Sequence, residues 1–85
     1  MRTIFTYQLE LVDKQIIVMP DKAEIISSQS KDGILCLWAI VETDNNPIRR
    51  TFFIVGTGHM LPNTELKHIQ TIHDRGFVWH VFEEV

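Results

Sequence analysis

Along most of the chain, apolar and polar residues alternate over short stretches with the two-residue period of extended backbone. Between Met1 and Leu11, Ile4, Thr6 and Gln8 share one parity, and Phe5, Tyr7, Leu9 and Leu11 share the other. That pattern predicts a half-buried strand. Asp13-Lys14 is a polar turn, and Gln15–Met19 is a short β-branched strand stopped by Pro20-Asp21. Ala23–Ser27 predicts a third strand, and the polar run from Ser27 to Gly33 a connector ending in Asp32-Gly33, a hairpin signal. Ile34–Val41 is apolar on both parities, so it is either central or covered on its outer side by another chain. After the turn Thr43–Pro47, Arg49–Val55 is expected to pair back with it as a hairpin. Asn63-Thr64-Glu65 leads by a loop, or by at most one helical turn near 63–68, into a strand at His68–His73. Asp74-Arg75-Gly76 is a turn, and Phe77–Phe82 is the last strand. About seven short strands at nearly regular spacing predict an all-β fold, a small antiparallel sandwich or barrel, as one domain over 1–85.

At 85 residues the chain is short for burying its apolar surface alone. With 45% hydrophobic residues it is expected to gain burial by joining copies of itself into a dimer or higher homo-oligomer. The seam between copies is then the expected place for a ligand. The net charge of −3 argues against a nucleic acid polymer as partner. One cysteine, Cys36, excludes an internal disulfide framework and points to a reducing compartment. No apolar run reaches the ~18 residues of a membrane span.

Candidate chemistry gathers at Thr51–Pro62, where an apolar strand runs into Gly56-Thr57-Gly58-His59. Two glycines one residue apart let the backbone take positive φ twice, and their amides can form an anion nest with Thr57 and His59 at its rim. A tight turn closing a strand explains the same residues. The histidines His59, His68, His73 and His80 match no zinc spacing, so no metal site and no cofactor are expected. Thr57 with His59, or Cys36 with a histidine, is the only basis for a small hydrolase, and no nucleophile elbow accompanies either. A binding role suits the inventory better than an enzyme. Trp38 and Trp79 offer stacking faces, Arg49 and Arg50 offer phosphate forks, and Thr57 and the glycine amides offer donors. Core packing accounts better for most aromatics, and only one of Arg49 and Arg50 can face a given pocket.

Four segments carry a resemblance over essentially the whole chain: Met-Arg-Thr-Ile-Phe-x-Tyr-x-Leu, Leu-Cys-Leu-Trp-Ala, Arg-Arg-Thr-Phe-x-Ile-x-Gly-Thr-Gly-His-x-x-Pro and Phe-Val-Trp-His-Val-Phe-Glu. Together they resemble a family of short proteins encoded by tailed phages. That family is similar to anti-defence sponges, oligomers that sequester the nucleotide second messengers of bacterial immunity. The resemblance implies action in the host cell cytoplasm on a small nucleotide ligand such as a cyclic dinucleotide. It also implies a pocket of Arg49 or Arg50, Thr57, Gly58 and His59, with Trp79 or Trp38 stacking. The other readings are a structural or host-protein-binding β module and, behind it, a hydrolase of such a signal.

Overall fold

A computed structural model describes all residues from Met1 to Val85. Seven strands form: β1 (Arg2–Leu9), β2 (Lys14–Pro20), β3 (Glu24–Lys31), β4 (Ile34–Glu42), β5 (Pro47–Gly56), β6 (Leu66–Asp74) and β7 (Phe77–Glu84). They make a three-stranded sheet in the order β1-β4-β3 and a four-stranded sheet in the order β2-β5-β7-β6. Every pairing is antiparallel. The molecule measures 40 × 30 × 16 Å, and the short dimension is that of two sheets packed face to face. It is a small all-β sandwich with no helix; none is therefore long and apolar enough to cross a membrane.

The alternation decides which side chains fill the gap. Leu9 of β1, Leu35, Leu37, Ala39 and Val41 of β4, Phe52 and Ile54 of β5, Ile72 of β6 and Val81 of β7 form one buried cluster, closed by Met19 and Ala23. Two hairpins use turns in which both central residues are left-handed: Asp32-Gly33 between β3 and β4, and Arg75-Gly76 between β6 and β7. That geometry matches the strand twist and favours Asp-Gly and X-Gly pairs.

Two expectations are corrected and one alternative is decided in favour of the loop. β5 does not pair with β4, because β1 and β3 occupy both of its edges; the turn after Glu42 carries the chain across to the other sheet. The polar run after Ser27 is not a connector but the second half of β3. Its inward hydroxyls are hydrogen-bonded: Ser28 Oγ donates to the Cys36 carbonyl at 2.8 Å, and Ser30 Oγ donates to Asp74 Oδ1 at 3.0 Å, tying β3 to β6. Near residues 63–68 there is no helical turn; Asn63 and Thr64 bend and Leu66 begins β6. Strand β4 is central in its sheet. Its outward residues Ile34, Cys36, Trp38 and Ile40 are only partly covered.

Candidate functional site

The Gly56–His59 segment is a four-residue turn in which the His59 N–H donates to the Gly56 carbonyl at 3.0 Å. Gly58, with φ +90, takes the third position, where a side chain is strained. Gly56 is not left-handed; a Cβ there would lie 3.2 Å from the His59 ring and 3.4 Å from Trp79, a tight but not forbidden fit. The expected nest of successive positive-φ residues does not form. Two of its amides are committed elsewhere, Thr57 N–H to the Val78 carbonyl and His59 N–H to Gly56.

Instead, the turn places Thr57 on the outer face of the four-stranded sheet, at one end of a hydrogen-bonded row. Thr57 Oγ1 lies 2.8 Å from His80 Nε2. His80 Nδ1 lies 2.9 Å from Thr71 Oγ1, and Thr71 Oγ1 lies 2.9 Å from His68 Nε2. The row crosses from the end of β5 over β7 to β6. Cross-strand pairing of His80 with Thr71 and with Val55 fixes it. A bulge between His68 and Gln70 shifts the register so that His68 sits opposite Phe82, with the two rings edge to face at 5.4 Å. No carboxylate takes part in these three bonds.

Neutral groups satisfy the row in two proton orders. In one, Thr57 donates to His80, His80 to Thr71 and Thr71 to His68. In the other every bond is reversed, and the Thr57 hydroxyl hydrogen is left free to point at a ligand. Beside the row, the loop after the turn folds back over β5. Phe53, Val55, His59, Met60 and Leu61 there line a groove of about 430 Å³ that also reaches Asp13. Val55, opposite His80, joins groove to row.

A family profile described as a domain of unknown function, DUF7352, matches residues 1–85. The chain belongs to this family. No curated protein and no solved structure matches it.

In this DUF7352 chain the expected pocket of Thr57, Gly58 and His59, with one of Arg49 and Arg50 and one of Trp79 and Trp38, is only partly brought together. Thr57, Gly58 and His59 are together and exposed in the turn. Trp79 is near them but points inward, opposite Gly56 and stacked on Phe77 at 5.5 Å. Its Nε1 is buried without an acceptor. Trp38 is on the outer face of the other sheet. Arg49 is exposed on β5, eight residues from Thr57, roughly 26 Å along an extended strand. Arg50 points between the sheets. Its Nε and Nη2 donate to both oxygens of Glu83, and its Nη1 donates to the Ala23 carbonyl at 2.6 Å. Three of its five N–H groups are used this way, beside a carboxylate, so Arg50 holds the sheets together rather than presenting an open phosphate fork. His68, Thr71 and His80 replace the arginines as the polar partners of Thr57. No cluster of three or more His, Cys, Asp or Glu has metal-holding geometry.

Proposed function

We propose that this protein captures one small phosphorylated ligand of the nucleotide class and holds it without reaction, as a sponge does. The observation that supports this reading is the row from Thr57 through His80 and Thr71 to His68. Phosphate oxygens accept hydrogen bonds, and the row is a line of donors free of carboxylates. An oxyanion at Thr57 favours the proton order in which each group donates toward it, so the bonds reinforce one another. The adjoining groove has the apolar character a base or sugar needs, with Phe53 and Val55 as its floor and Met60 and Leu61 as its rim. The resemblance to phage proteins makes a cyclic dinucleotide signal of the host the first ligand to try.

Thr57 beside His80 is also the contact a hydrolase needs between nucleophile and base. A hydrolase further requires donors preorganised for the developing oxyanion. The two turn amides that would serve are hydrogen-bonded within the fold, which favours capture over cleavage.

Thermal-shift and calorimetric titration against inorganic phosphate, nucleoside monophosphates and cyclic dinucleotides tests the reading. A stabilising ligand is expected, lost in Thr57→Val and His80→Ala and recovered intact on heat release. Folded protein that responds to none of the panel refutes binding; recovery of a cleaved product refutes capture.

A further inference from the structure

We propose that the outer face of the three-stranded sheet is a homodimer interface, in which β4 lies antiparallel over β4 of a second copy. This goes beyond the ligand reading, since it concerns the opposite face of the sandwich. The face is apolar through its centre: Cys36, Trp38 and Ile40 are half-buried, while Ile4 and Ile34 are 55% and 46% exposed.

Charge on β3 selects the occupant. Lys31 pairs with Ile34 at one end of β4, and Glu24 pairs with Ile40 toward the other. Both are exposed, and both share the outward parity of their partners. Consider a two-fold axis in the plane of the interface, crossing the strands midway between Cys36 and Trp38. It sets Ile34 against Ile40 of the second copy and Cys36 against its Trp38. The same operation sets Lys31 against Glu24, twice. The face is thus complementary to itself in both apolar content and charge, as an isologous contact requires. The usual rotation of roughly 30° between aligned sheets leaves long Lys and Glu side chains within reach.

Three strands at ~4.8 Å spacing, each eight or nine residues long, give about 400 Å² of projected face per copy. Over both copies that is about 800 Å², below the range of stable interfaces, so the dimer is weak and reversible, with a dissociation constant of micromolar order or weaker.

Sedimentation velocity from ~5 μM to ~0.5 mM tests this. The natural protein is expected to pass from monomer to dimer over that range. Lys31→Glu and Glu24→Lys alone place like charges across the seam and should each raise the dissociation constant about tenfold. The double reversal, Lys31→Glu with Glu24→Lys, restores opposite charges and should return it to near the natural value. Far-UV circular dichroism confirms that each variant is folded. A monomer throughout the range, single reversals without effect, or a double reversal that fails to rescue overturns the proposal.

Discussion

Breaking the Arg50–Glu83 pair should cost more stability than any other single polar change in the molecule. The two side chains are 18% and 13% exposed and meet in a two-pronged contact between the sheets. Removing one partner of such a pair strands a desolvated charge, typically at ~3–5 kcal/mol. Residual exposure on both sides puts Glu83→Leu near 3 kcal/mol. Arg50→Met should cost more, because it also orphans the Ala23 carbonyl that Nη1 holds. Domains carry about 0.05–0.15 kcal/mol per residue, so an 85-residue chain has roughly 4–13 kcal/mol in all. Losing 3 kcal/mol lowers the melting temperature by about 12–24 °C at this size. The double variant Arg50→Met with Glu83→Leu removes both charges and should recover most of the loss. Urea unfolding of all four proteins closes the cycle, with an expected coupling of at least ~2 kcal/mol. The cost should persist in ~1 M salt, which screens exposed pairs far more than enclosed ones. Single-variant losses below ~1 kcal/mol that simply add in the double would refute the assignment of Arg50 to the scaffold and return it to the list of free phosphate forks.

Other outcomes follow from named contacts. Tyr7 is the only tyrosine, and burial raises its pKa while the nearby Arg50 partly opposes the rise. Because the folded value lies above the unfolded one, its contribution to stability is complete below pH ~10 and is lost as pH climbs through the raised value. Absorbance titration of tyrosinate should show a late transition that Arg50→Met makes later still; an unshifted transition would contradict the burial. Gly58→Ala, at φ +90 in open space, should lose about 1 kcal/mol from backbone strain alone, measured by denaturant unfolding. Trp79→Phe removes a buried indole N–H that has no acceptor and should be nearly neutral, whereas Trp79→Ala should cost ~3–5 kcal/mol. Equal losses for Phe and Ala would show that the indole N–H is satisfied.

Strand positions were largely legible because a sheet with one wet face imposes period two on the sequence, and both left-handed hairpins announced themselves as Asp-Gly and Arg-Gly. Partner choice was not. Nothing local distinguishes β5 returning to β4 from β5 crossing to the other sheet, since both are apolar on both parities. In β5 the outward Phe53 and Val55 are buried and line a groove with the loop after the turn, a burial that sequence pattern does not show. Part of the polar row was within reach: a two-residue turn at Arg75-Gly76 sets Thr71 opposite His80 by simple register. His68 joins only because of the bulge beyond Gln70, and Thr57 only because β5 lies beside β7. The arginines misled for a related reason. Adjacent residues on a strand face opposite ways, and Arg50 drew the inward side, where Glu83 waited across from Phe52.

If the proposed dimer forms through β4, the proposed ligand site does not lie in the seam between copies. Pairing through β4 buries the outer face of the three-stranded sheet, while the Thr57 row lies on the outer face of the four-stranded one. The sandwich separates them by its 16 Å thickness. A dimer of this form carries its two rows back to back, each facing solvent and each complete within one chain. Ligand should therefore bind one per chain, and Lys31→Glu, whose dimer is about tenfold weaker, should bind it with unchanged affinity. Calorimetry on the natural protein and on that variant reads both quantities. A stoichiometry of one ligand per two chains, or a loss of affinity in that variant, would place the site at the seam after all and separate it from the Thr57 row.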